Sequence, residues 1–132
     1  MTYEVTWYEP NRVLYLGVKD NLTIDELGAA IKMIEDGVRS ATSTVHLIVD
    51  ARETRSIPSN VLEIKKRITY LDREKMGWIV LVGVNPLIST FIKVLTSLMG
   101  TKFQNFKGLK PALEFLMQQD ESLSDLREKM ID

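Results

Sequence analysis

Val45-His46-Leu47-Ile48-Val49-Asp50 is the stretch on which the fold turns. Val45 to Val49 is apolar at nearly every position, without the alternation of a half-exposed strand. That is the pattern of a strand covered on both faces. Asp50 stops the run, and a polar turn leads to a helix expected to begin between Ser56 and Ser59, with Pro58 tolerated in its first turn. An acid at the end of a buried strand, facing a helix start, marks the edge where α/β proteins bind ligands or partners.

On the C-terminal side, Val61, Ile64, Ile68 and Leu71 form the inner stripe of that helix. Gly77 ends the region, and Trp78 to Val84 reads as a second doubly buried strand. Asn85-Pro86 caps and opens a helix over Leu87 to Met99, closed by Gly100. Lys102 to Phe106 is a short alternating strand, and Pro111 to Gln118 a helix with Leu113, Leu116 and Met117 inward. Residues 119–132 form an acidic tail or short helix, with Leu123, Leu126 and Met130 at helical spacing.

On the N-terminal side, Tyr3, Val5 and Trp7 alternate with polar residues, Glu9-Pro10-Asn11 turns the chain, and Arg12 to Lys19 returns as a second strand. Gly17 within it implies a bulge or a close backbone approach. Thr23 and Glu26 have the spacing of a capping box, stapled by Leu22 and Leu27. Ile24, Leu27, Gly28, Ile31, Ile34 and Val38 continue that helix to about Gly37. The expected class is α/β: a mostly parallel five-stranded sheet opened by an N-terminal β-hairpin, with about four helices.

At 132 residues the chain is long enough for one continuous core. Seventeen basic and eighteen acidic residues leave a net charge of −1, which argues against a general nucleic-acid binder. The absence of cysteine excludes disulfides and thiolate sites and fits a reducing compartment. The first residues lack the basic and apolar regions of a signal peptide, and Leu87 to Met99 is too short to span a bilayer. The expected location is the cytoplasm, without stable membrane insertion.

Enzymatic readings lack parts. His46, the lone histidine, lies inside a strand and reads as a core residue rather than a catalytic one. Asp50 and Glu53 could hold magnesium, but a loop acid paired with Arg52 or Arg55 is the simpler reading. Val82-Gly83-Val84-Asn85-Pro86 lacks the glycine spacing of a phosphate cradle. No cofactor or metal is expected. Lys65-Lys66-Arg67 reads as a solvated face. The 87–99 helix is apolar on more than one side, and Leu87, Phe91, Val94 and Met99 could line a dimer face or an apolar groove, or lie beneath the tail.

Two families share features with these residues. Asp50 and Lys110-Pro111 are similar to positions of response-regulator receivers, but a hairpin stands where a receiver carries its magnesium-binding acids. The chain more closely resembles the STAS domain, the anti-sigma-factor-antagonist fold, in its divergent SpoIIAA-like group. Val13-Leu14-Tyr15-Leu16-Gly17-Val18 with Leu22-Thr23, Leu47-Ile48-Val49-Asp50, and Phe106 through Leu116 carry that resemblance, over roughly residues 2 to 118. It implies a domain of residues 1–118 followed by the tail. It also implies a non-catalytic regulatory module whose partner is of the kinase or sigma-factor-regulator type.

The family's Asp-Ser-Ser-Gly motif, phosphorylated on its second serine, falls on Pro58-Ser59-Asn60-Val61, so the resemblance implies a degraded switch. Phosphate would add about −1.5 to −2 charges at a helix start; here Ser59 is expected to cap the helix instead. The expected interaction loop comprises Asp50, Arg52, Arg55, Ser56, Ser59 and Asn60. The alternative is a carrier or sensor of a small apolar or lipid-like ligand between the 87–99 helix and the sheet. Homodimerisation through that helix or the tail is a separate expectation.

Overall fold

The computed structural model describes residues 2–58, 60–68, 74–83, 85–86, 89, 92–93, 97 and 100–127. Ser59, most of the expected helix over 87–99, and Leu87, Phe91, Val94 and Met99 with it, lie outside the described residues. The elements in chain order are β1 (Tyr3–Glu9), β2 (Val13–Asn21), α1 (Ile24–Ser40), β3 (Val45–Ser56), α2 (Val61–Arg67), β4 (Met76–Val82), β5 (Lys102–Phe106) and α3 (Leu109–Gln119), followed by a 3₁₀ turn at Glu121–Leu123. The five strands lie side by side in sequence order. β1 and β2 are antiparallel, and β2 through β5 run parallel. This is the expected α/β architecture, with three α-helices among the described residues.

The parity of the strands divides the core. Leu14, Leu16, Val45, Leu47, Ile79 and Leu81 face one side, where Ala30, Ile34 and Val38 of α1 cover them. Val13, Ile48, Val80 and Val82 face the other, where Ala112, Leu113 and Leu116 of α3 cover them. Helix α1 begins as its sequence implies. Thr23 accepts from the Glu26 amide at 3.2 Å, and Glu26 accepts from the Thr23 amide at 3.0 Å. That reciprocal box satisfies two of the donors a helix start leaves open.

Two of the boundaries that differ from expectation bear on the site. Asp50 does not end β3, which continues to Ser56. β4 stops opposite Asp50 at Val82, but β2 runs on to Asn21 and holds the extension through Lys19↔Glu53, Asp20↔Thr54 and Asn21↔Ser56. With one strand neighbour and exposure to water, the extension carries polar side chains, and that polarity imitates a turn. Helix α2 consequently starts later. Asn60, not Ser59, is its cap, its side-chain oxygen accepting from the Glu63 amide at 3.1 Å, and Pro58 stays in the connection.

The chain after α3 completes the second core layer. Leu123 and Leu126 are buried among Val13, Ile48 and Leu113. Truncating Leu126 to alanine is expected to cost about 2–5 kcal/mol in urea unfolding. Leu62→Ala, at a side chain 68% exposed, should change stability by less than about 0.5 kcal/mol.

Candidate functional site

Ile48 separates two polar residues on the same face of β3, His46 and Asp50, both buried. Each draws partners from distant parts of the chain.

Around Asp50 the sheet is irregular. Gly17 pairs with Asp50 and Lys19 with Glu53, so β3 carries an extra residue between them. Such a bulge re-aims side chains. Here it turns Arg52 back on Asp50. Arg52 Nε donates to Oδ1 at 2.9 Å, Nη2 to Oδ2 at 2.7 Å, and the Arg52 amide to Oδ1 at 3.2 Å. The Tyr15 hydroxyl, from β2, donates to Oδ2 at 2.6 Å.

Two glycines make room for this cluster. A Cβ on Gly17 would stand 2.9 Å from Tyr15 Cε1, the close approach expected there. One on Gly83, where φ is +70°, would stand 2.3 Å from Arg52 Cγ.

Burial by itself raises the Asp50 carboxyl, but the Arg52 and Tyr15 hydrogen bonds outweigh it and leave the group below its ordinary value. Burial, then the bond to Asp50, pushes the Tyr15 phenol up to about 12. The phenol therefore stays protonated and donating. A carboxylate bound by four N–H and O–H donors is not poised as a base, and Asp50 with Arg52 forms an ion pair rather than half of a magnesium site. Among the described residues, no group of three or more His, Asp or Glu side chains converges as a metal site.

At the other end of the face, His46 Nδ1 accepts from the Trp78 amide at 2.9 Å, which leaves the proton on Nε2, 2.9 Å from Asp120 Oδ2. The Trp78 amide needs this acceptor because the β3–β4 register shifts between Val45 and Leu47. Gly77 is required beside it, since a Cβ there would lie 2.4 Å from Nδ1. Arg12 Nη2 also donates to Asp120 Oδ2, at 2.9 Å. Burial lowers the imidazole below its ordinary value against the pull of Asp120. Burial raises Asp120, but Ser122, His46 and Arg12 together bring it down to about 2. His46 is thus a satisfied core residue that fastens the C-terminal segment.

The expected interaction loop does not form one cluster. Asp50 and Arg52 meet on the α3 side of the sheet, with Tyr15. Arg55 and Ser56 are exposed farther along β3, where Ser56 Oγ donates to Asn21 Oδ1 at 2.7 Å. Asn60 caps α2. Tyr15 and Gly83 were not singled out from sequence as site residues. The legible signal was parity: read across a parallel pair, the tyrosine two residues before Gly17 shares a face with Asp50.

No family model matches the chain, and no curated protein is similar to it in sequence. Solved structures do match in fold. One is an uncharacterised protein of the DUF3478 family from Shewanella loihica PV-4, with a SpoIIAA-like fold. It has a TM-score of 0.62 and 12% identity, over 86% of this chain and 91% of that one. Another is the anti-sigma factor antagonist SpoIIAA in its unphosphorylated form, with a TM-score of 0.61 and 11% identity, over 86% of this chain and 96% of that one. The chain therefore has the SpoIIAA-like fold of the STAS type, as its sequence resemblance implies. No helix among the described residues is long and apolar enough to cross a membrane.

Two outcomes follow for stability. Arg52→Ala leaves the Asp50 carboxylate without its half-exposed cation and should cost about 1–3 kcal/mol, whereas Tyr15→Phe should cost about 1 kcal/mol in the same urea titrations. The pH dependence has a definite sign, because both His46 and Asp120 have depressed folded-state values. The His46 contribution is complete above the ordinary imidazole value of 6.5 and is lost as pH falls through the lower folded value. The Asp120 contribution is lost in a separate step, between 3.8 and about 2. Melting temperatures should fall on acidification in those two windows, and His46→Asn should abolish the first and shrink the second, since His46 is one of the groups that hold Asp120 down.

Proposed function

We propose that this chain is a non-catalytic, cytoplasmic regulatory module that binds a protein partner of the kinase or sigma-factor-regulator type through the start of α2. The observation that carries this reading is Leu62, 68% exposed in the first turn of α2. A large apolar side chain held on a helix surface gains by burial in an apolar groove of a partner, as in helix-in-groove docking. Asn60, Lys65 and Lys66 are exposed beside it in sequence. These are the polar and basic surroundings of an interface with a mildly acidic partner.

The fold shared with an anti-sigma factor antagonist supports a regulatory role. The occupied state of Asp50 supports binding rather than catalysis. Asn60, at the position the resemblance assigns to the phosphorylated serine, offers no hydroxyl and is committed to capping. Binding at this surface is then independent of phosphorylation at residue 60.

The test is affinity enrichment from the native cell, followed by reconstitution with the purified partner. Leu62→Asp and Lys66→Glu should each weaken the complex by about tenfold or more without altering the melting temperature, since anchors and rim charges act on the complex rather than the fold. A partner that binds both variants at full strength would overturn the assignment of the surface.

A further inference from the structure

The Asp50–Arg52 pair leaves one side of the guanidinium unspent. Nε and Nη2 are engaged with Asp50, the Tyr15 hydroxyl also lies against the guanidinium, and among the described residues no hydrogen bond is made at Nη1. The Arg52 side chain is half exposed. Its stem is fixed against Gly83 and its head against a buried carboxylate, so the free N–H groups are held in one orientation. A fork pre-set in this way matches a carboxylate or phosphate at little entropic cost.

Arg52 lines a groove of about 810 Å³, open over β1, β2 and the outer half of β3. Helix α3 leaves this part of the face bare, since it lies over β3, β4 and β5. The volume falls in the range of small-molecule sites, roughly 300–1,000 Å³.

The other charges narrow the ligand. Glu4, Lys19 and Glu53 also line the groove. With Asp50 and Arg52 cancelling, two carboxylates face one ammonium, which disfavours a dianion such as phosphate and favours a ligand that brings a cation with its carboxylate. Spacing adds a second constraint. Glu4, Gly17 and Asp50 stand in register across three adjacent strands, so Glu4 and Asp50 are two strand spacings apart, about 10 Å. The Glu4 side chain leans over Gly17 toward the centre, its Oε1 3.4 Å from where a Cβ would be. The Tyr15 ring lies over Gly17, its Cε1 2.9 Å from where a Cβ would be, and forms the floor of the groove between the two charges.

We propose that this groove binds a small dipolar ligand, its carboxylate on Arg52 and a distal cation on Glu4, of the class of basic amino acids and short peptides. Lysine, with an ammonium and a carboxylate at opposite ends of one flexible chain, is the simplest ligand of this class. This site is separate from the Leu62 surface and does not depend on it.

The test is a titration of the ¹⁵N-labelled chain with lysine, lysinamide, norleucine and inorganic phosphate, followed at the amides of Gly17, Arg52 and Gly83. Lysine should shift these amides. Lysinamide, without the carboxylate, and norleucine, without the distal cation, should each bind about tenfold more weakly or worse, the loss expected for one charge-assisted contact. Glu4→Gln, at an exposed position, should remove the preference for lysine over norleucine while leaving the fold intact. Lysine shifting none of these amides at millimolar concentrations would overturn the proposal, as would phosphate or norleucine binding as tightly as lysine.

Discussion

Asp50 carries a charge into the middle strand of a sheet, where water cannot compensate it. A carboxylate so placed is tolerated only when donors are delivered to it in fixed positions. The surrounding irregularities are the delivery. An extra residue in β3 swings Arg52 back, Gly83 makes room for the arginine stem, and Gly17 makes room for the tyrosine ring that supplies the remaining donor. Features that look independent along the chain, two glycines and a bulge, answer one electrostatic demand.

His46 poses the milder version of the same problem at the opposite end of the face. A neutral imidazole has one donor and one acceptor, and both are spent, on Asp120 and on the Trp78 amide. Ile48 between them stays apolar and joins α3 to the sheet. The central strand therefore has a dry middle and two polar ends. One polar end is closed off by the C-terminal segment, and the other opens into a groove.

Much of the fold was legible because burial writes itself into composition. Val45 to Val49, His46 apart, and Trp78 to Val82 are apolar because helices cover both faces, and Thr23 with Glu26 announces a helix start by chemistry alone. The end of β3 was not legible. Residues 51–56 are polar because only β2 accompanies them, and a strand with one neighbour in water has the composition of a turn. The position of the helix cap slipped for the same reason, from Ser59 to Asn60. At the site, the acid and its arginine were found because they stand two residues apart in sequence. Tyr15 was missed because its nearness to Asp50 exists only once the register of β2 on β3 is set.

The fastening of His46 also has a consequence in time. Its acceptor lies 74 residues downstream, and the arginine sharing that acceptor lies 108 residues upstream of it. A nascent chain can lay down β1 to β3 early, yet the imidazole and guanidinium stay unmatched until residue 120 has cleared the ribosome. Leu123 and Leu126 arrive in the same few residues to close the apolar layer beside them. Completion of this core layer thus waits for the segment from Asp120 to Leu126, and a chain cut short before Asp120 would present an unfinished core rather than a smaller finished one.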